Sequence, residues 1–318
     1  MKATIISAFI AAAIGGAFGA PASAKDLTIG VMLLNGDTYF SNVVKGVQDA
    51  NSDGNTIIVN YNGDAAKESR GFDDLITRQV DAIITSPLNP DSSVSAIRRA
   101  AQAGIDVICY NTCLNEDAQK QYVKAFVLSD QAGLGRATGE YAARYIKENI
   151  GDSITMGILT CDSFEICRQR RDAFFKVLDD EGISVDLVAD QEAYVVDKAV
   201  PVAENILTAN PDVDALWAAN DGGTVGLVKA VQNAGRAGEI PVFGTDMTPQ
   251  LGQMLLAEPH TLLTTTGQDG LATGRTAVEV VKKLDAGEDI GSFDQIVPVS
   301  NFTADDPKAV ESYLKDNG

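Results

Sequence analysis

The feature that most constrains this chain is an alternation. Short, nearly continuous apolar runs are each followed by a stretch with helical periodicity. The runs at 27–33, 56–60, 82–85 and 107–109 alternate with helical patterns over 39–51, 66–79 and 91–103. The rhythm then restarts: runs at 154–159, 185–188, 215–218 and 241–244 precede helical patterns at 166–181, 200–209, 222–234 and 249–257. Continuous apolar strands are buried on both faces, as in a parallel sheet covered by helices, and such strands are joined by right-handed crossovers. Two sets of this size predict two α/β domains of ordinary length, with no low-complexity linker between them.

Composition narrows the function. In 318 residues acids outnumber bases 44 to 25, a formal net charge of −19. Such a chain lacks the cationic footprint that nucleic-acid binding needs, and it is equally unsuited to docking on anionic lipid. A single histidine, His260, leaves little room for histidine metal sites or histidine general-base catalysis. The numbers lean towards an acidic binder with little catalytic equipment.

The first residues read as a secretory signal peptide: Lys2, an apolar small-residue run to Ala20, then Pro21-Ala22-Ser23-Ala24. Cleavage is expected after Ala24, which makes the mature chain one unit more negative and exports it. The run is short for a bilayer anchor. Export makes the cysteines informative. Cys109, Cys113, Cys161 and Cys167 allow three disulfide connectivities. Two short-loop bridges, Cys109–Cys113 and Cys161–Cys167, are preferred; the spacing fits structural zinc poorly, and free buried thiols remain the plain alternative.

In doubly wound sheets ligands bind beyond the carboxyl ends of the strands. The segments at those positions are polar and aromatic: Gly36-Asp-Thr-Tyr-Phe40, Asn111-Thr112, Cys161 to Arg168, Asn220-Asp221 and Thr245-Asp246. Carboxylates and amides there can satisfy hydroxyl donors, and a guanidinium can serve two neighbouring oxygens. Each has a plain structural reading as well. Asp37 could favour a helix N-terminus, Tyr39 and Phe40 could be core, and Arg168 could be one of three surface cations with Arg170 and Arg171. Asn220-Asp221 could cap a helix, and Asp246 could cap the one beginning near Pro249. Trp217, in mid-strand, reads as core.

Through these residues the chain resembles the periplasmic sugar-binding proteins of ABC importers, of the ribose/galactose-binding type related to LacI-like regulators. The motifs that carry the likeness are Ile29-Gly-Val31 with Tyr39-Phe40 and Gly46, Asp81-Ala-Ile-Ile-Thr-Ser-Pro87, and Ala103-Gly-Ile-Asp-Val107. Ala219-Asn-Asp221 with Gly226 and Ala234-Gly235, Gly244-Thr-Asp246 and Thr266-Gly-Gln268 complete the set. Each is weak alone, and their order over 25–318 is what identifies the family. The resemblance implies a type I periplasmic binding protein: two doubly wound parallel-sheet (Rossmann-like) lobes joined by a three-crossing hinge. The crossings fall near Ser129-Asp130, Gly267-Gln268 and Pro298-Val299. The N-terminal lobe is then 25–129 plus 268–298, and the C-terminal lobe 130–267 plus 299–318.

It also implies the ligand set. Asp37 stands where the family often has Asn, Tyr39 and Phe40 where aromatics face a sugar ring, and Tyr194 as the second lobe's aromatic. Arg168 takes the place of a hydroxyl-clamping arginine, while Asn220, Asp246 and Gln268 match the remaining polar contacts. Asn111 replaces an acid and Thr112 an arginine, which leaves one arginine in the pocket and argues against ribose. The implied partners are a sugar or polyol, permease and ATPase subunits on other chains, and in some members a chemoreceptor. No cofactor, metal or catalytic residue is implied, and the chain is expected to be monomeric. A bridge between lobes would oppose their closure, which also favours the two short-loop disulfides.

Rival classes fit less well. Gly133-Leu-Gly135-Arg-Ala-Thr-Gly139 has the spacing of helix packing, one residue off a dinucleotide fingerprint, and no nucleophile elbow or phosphate loop is present. A regulator of the same fold would lack the leader and carry a DNA-binding headpiece. An exported binder of a cationic metabolite would make use of Asp37 and Asp246.

Overall fold

The computed structural model describes residues 26–36 and 38–317. The segment read as a signal peptide and Asp37 lie outside them. The first sheet is formed by β1 (Thr28–Leu33), β2 (Asn55–Asn60), β3 (Ala82–Thr85), β4 (Asp106–Tyr110), β5 (Ala125–Ser129) and, from far along the chain, β11 (Asp294–Val297). The second contains β6 (Ser153–Thr160), β7 (Ser184–Glu192), β8 (Ala215–Ala218), β9 (Val242–Phe243), β10 (Leu262–Gly267) and β12 (Ser300–Thr303). Their orders are β11-β5-β4-β3-β1-β2 and β12-β10-β9-β8-β6-β7. Every pairing is parallel except β10 with β12. The expected doubly wound α/β architecture is therefore present twice.

The chain passes between the sheets three times. β5 leads into α5 (Gln131–Asn149), which packs on α6 (Glu165–Asp180) over the second sheet. β10 leads back into α10 (Gly270–Asp285), which packs on α1 (Thr38–Ala50) over the first. Only Pro298 and Val299 separate β11 from β12. The remaining helices of the first set are α2 (Ala65–Thr77), α3 (Val94–Gln102) and α4 (Glu116–Tyr122); those of the second are α7 (Val196–Ala209), α8 (Asp221–Asn233), α9 (Pro249–Leu256) and α11 (Pro307–Asn317). No helix among the described residues is long and apolar enough to cross a membrane.

Strands buried on both faces explain the continuous apolar runs: every residue of β3 and β8 is buried. Trp217 is fully buried and stacked on Phe174 at 4.8 Å, as the core reading expected. Helix α7 begins four residues earlier than the sequence pattern suggested, with Pro201 inside it. Proline lacks an N–H donor and usually marks a helix start, which is why the pattern set the start too late. The segment α4–β5–α5, the β10–α10 unit and everything after it were not resolved into elements by periodicity.

The Gly133–Gly139 segment is a helix-packing surface. A Cβ on Gly135 would stand 1.9 Å from the Arg170 carbonyl oxygen, so α5 and α6 meet backbone to backbone. The same device joins α1 to α10, where a Cβ on Gly46 would stand 2.2 Å from the Leu271 carbonyl oxygen. Gly135→Ala should force α5 off α6 at a cost of about 1–3 kcal/mol, as overpacking does. A lowered midpoint of thermal unfolding would register this, and an unchanged midpoint would refute backbone contact at this position.

Candidate functional site

The strand ends of the second sheet are tied together by one buried cation. Helix α6 buries Cys167, Arg170, Phe174 and Leu178, an amphipathic stripe that puts Arg170 on the inner face. Arg170 is only 3% exposed. Its Nε donates to Gln131 Oε1 of α5 (2.9 Å), and its Nη1 donates to the Ala219 carbonyl after β8 (3.0 Å) and to Asp246 Oδ2 after β9 (2.9 Å). Asp246 takes a left-handed backbone (φ 67°), a conformation that Asp and Asn tolerate better than other side-chain-bearing residues. The Thr265 hydroxyl fixes it by donating to the Asp246 carbonyl at 2.5 Å. Its other carboxylate oxygen accepts from the Gln268 amide at 3.4 Å, directly at the second crossing. Asp246 is thus not a helix cap; Thr248 caps α9.

Beside this carboxylate a cavity of about 250 Å³ opens between the two sets of strand ends. Thr38, Tyr39 and Asn42 line it from α1, and Asp221, Asp246, Met247, Thr248 and Tyr313 from the second set, with Gln268 between. Asp221, mostly buried on the first turn of α8, has its pKa raised by burial and then by the neighbouring Asp246 charge. A larger recess of about 530 Å³, near Gln79, Asp81 and Asp106, lies at the amino ends of the first sheet, the end that ligands of such sheets do not use.

Of the residues singled out in the sequence, Tyr39, Asp246 and Gln268 meet at this cavity. Phe40 does not: successive helix residues diverge by about 100°, and it is buried in the first core, edge-on to Tyr110 at 5.9 Å. Arg168 does not line it either; its guanidinium is held on the exposed first turn of α6 by Glu165 and the Asp162 carbonyl. Asn220 acts as the cap of α8, accepting from the Gly223 N–H at 3.1 Å. Its amide donates to the Tyr194 carbonyl at 2.9 Å, which fixes the loop after β7. Tyr194 itself is 38% exposed, edge-on to Phe164 at 5.5 Å. Asn111, the counterpart of Asp246 at the end of β4, is also left-handed (φ 59°), and its amide reaches the Ser86 hydroxyl at 3.4 Å.

Sequence reasoning placed Asp221 at a strand end without giving it a ligand role, and missed Tyr313 and Arg170 as contributors. The last was legible: the spacing Cys167, Arg170, Phe174, Leu178 distinguishes a buried arginine from the exposed Arg168. The cysteines pair as preferred, Cys109 with Cys113 and Cys161 with Cys167. Each bridge pins a strand-end loop, the first after β4 and the second after β6. Among the described residues no group of acids, cysteines or histidines could hold a metal. His260 sits before β10, at the opposite end from the cavity, beside Glu258 at 3.0 Å.

With this geometry in hand, the comparisons are specific. A family model described as "Periplasmic binding protein domain" matches residues 29–289. An Escherichia coli protein named "ABC transporter periplasmic-binding protein YphF" is 40% identical over 259 residues, 80% of this chain and 79% of that protein. The Salmonella typhimurium "Ribose import binding protein RbsB" is 29% identical over 290 residues, 91% of this chain and 93% of that one. A crystal structure of an Actinobacillus succinogenes ABC transporter periplasmic solute-binding protein with bound D-allose superposes with a TM-score of 0.73 at 25% identity, covering 89% of this chain and 99% of that one.

Two outcomes test the site. Arg170→Ala leaves Asp246 without its buried cation and should cost about 3 kcal/mol, the lower end for a broken buried pair because Asp246 keeps some exposure. Denaturant unfolding would show it, and a loss under 1 kcal/mol would remove Arg170 from its anchoring role. Asp221 has a folded pKa above its unfolded one, so its ionisation disfavours the fold, increasingly as pH rises from the ordinary carboxylate range through the raised value. Asp221→Asn should therefore unfold at a higher temperature than the parent at neutral pH, with the gain vanishing below the ordinary carboxylate range. A gain independent of pH would contradict that cause.

Proposed function

The chain belongs to the periplasmic binding protein domain family, and from that premise we propose that it captures a sugar or polyol between two lobes and, closed, delivers it to an ABC import permease. One observation carries the ligand class. The cavity draws its lining from α1 on one side and from helices and loops of the second set on the other, and combines two tyrosine rings, two carboxylates, two amides and hydroxyls, the set that satisfies adjacent hydroxyls and an apolar ring face. A ligand touching both sides favours the closed arrangement, and closure is a shift between populations. The role is binding, with no chemical turnover.

On this reading one lobe is 25–129 with 268–298 and the other 130–267 with 299–318. The ligand set comprises Tyr39, Asp246 and Gln268 at the cavity, with Asp37 carried over from the sequence, and Asn111, Arg168, Tyr194 and Asn220 along the strand ends that closure brings nearer. The Salmonella relative is named for ribose and the Actinobacillus structure holds D-allose. Asn111 and Thr112 stand where an acid and an arginine are the family's pattern, which supports a ligand other than ribose. The chain acts in the periplasm after cleavage behind Ala24, as a monomer meeting permease and ATPase subunits and, in some settings, a chemoreceptor. A second reading, an amine-bearing ligand, is favoured by Asp221 and Asp246 with no basic side chain among the described residues that line the cavity.

A thermal-shift screen separates the two. A ligand at a hundredfold excess over its Kd stabilises by about 2.7 kcal/mol. Pentoses, hexoses and polyols should raise the unfolding temperature. Shifts from amines or amino acids alone would replace the sugar reading by the second one.

A further inference from the structure

The C-terminal helix α11 follows β12 and lies beyond residue 289, where the family match ends. Its inner stripe, Val310, Tyr313, Leu314 and Asn317, follows the i, i+3, i+4, i+7 spacing of one helical face. Each of these residues has a partner. Val310 is fully buried in the second core. Leu314 packs so tightly on α9 that a Cβ on Gly252 would stand 2.9 Å from it. Tyr313 lines the ligand cavity. Its hydroxyl donates to the Met247 carbonyl at 3.0 Å, and its ring sits edge-on to Phe302 at 5.2 Å. Burial pushes that hydroxyl up to about 12, so it stays a protonated donor throughout the physiological range. Asn317 donates to the Tyr313 carbonyl at 2.8 Å and accepts from the amide of Asn42, on α1 of the other lobe. A rigid aromatic ring, anchored at hydroxyl and backbone, thus closes one side of a cavity whose opposite side is formed by α1.

We propose that α11 is a wall of the ligand cavity, with Tyr313 the residue that limits the ligand to a monosaccharide-sized polyol and Asn317 the contact that holds this wall to the first lobe. The inference rests on the sugar reading for its ligand and on the Asn42–Asn317 contact for its geometry, so its test has two arms. In the first, the ligand-stripped full chain, Tyr313→Ala, Tyr313→Phe and Lys315→Ala (on the exposed face of α11) are titrated calorimetrically with D-allose, myo-inositol and the disaccharide trehalose. The parent should bind a monosaccharide-sized probe and exclude trehalose. Tyr313→Ala should weaken that binding about tenfold or more, the scale of truncating a packed aromatic, and admit trehalose. Tyr313→Phe should lose much less, and Lys315→Ala should match the parent. Parent-like affinity and selectivity in Tyr313→Ala would overturn the inference.

In the second arm, amide hydrogen exchange over 38–44 is compared without ligand. Asn317→Ala should speed exchange there relative to the parent and to Lys315→Ala, an effect that a helix serving only its own lobe would not transmit to α1. Unchanged exchange would overturn the inference. A parent that binds none of the three probes would overturn the sugar reading alone, and the exchange arm would still decide whether α11 holds the first lobe.

Discussion

The Arg170 guanidinium reaches three separate elements at the carboxyl edge of the second sheet: the start of α5, the residue after β8 and the carboxylate after β9. It can do so only because α5 and α6 touch through Gly135, which brings the backbone of α6 against α5. An unpaired guanidinium at this depth would be prohibitively costly, so the three acceptors and the cation define one another's positions. Asp246 is held in its left-handed backbone by the same arrangement, and through Asp246 the order extends to Gln268 at the second crossing.

That chain of contacts links packing to function. The cavity has one side formed by α1 and the other by residues that Arg170 and the buried threonines hold still. Thr245 donates to the Ala218 carbonyl at 2.8 Å and Thr224 to the Asn220 carbonyl at 2.8 Å, so both hydroxyls and both carbonyls are paired where β8 and β9 stop. Rigid lobes meeting at thin crossings are what hinge closure requires. A ligand then moves bodies rather than remodelling loops, and the two disulfides lie within lobes where they leave the hinge free.

Much of this was legible before the structure. The apolar runs located β1, β3, β4, β6, β8 and β9 because buried parallel strands carry few polar residues on either face, and the edge strands β2 and β7 through the shorter apolar runs at 56–60 and 185–188. Among the units that escaped, the short polar α4 and the short edge strands β11 and β12 give the pattern little to detect. Within the site, Tyr39, Asp246 and Gln268 were found because strand-end position and residue type coincide. Phe40 and Arg168 were placed by motif position alone: helical phase turns Phe40 inward to Tyr110, and Arg168 stands at the exposed strand-end rim against Glu165 rather than in the cavity.

The sequence by itself determined that two α/β units of parallel strands would form, where their ligand-bearing ends would lie, and that the chain would bind rather than catalyse. Periodicity and residue chemistry are local properties and need no third dimension. Which arginine is the buried anchor, whether Asn220 caps or contacts, and that a C-terminal helix supplies Tyr313 were decided only by the tertiary structure. Those outcomes depend on which elements approach one another, through contacts as distant in sequence as Asn42 and Asn317. A linear pattern carries no record of such a meeting until the core has closed around it.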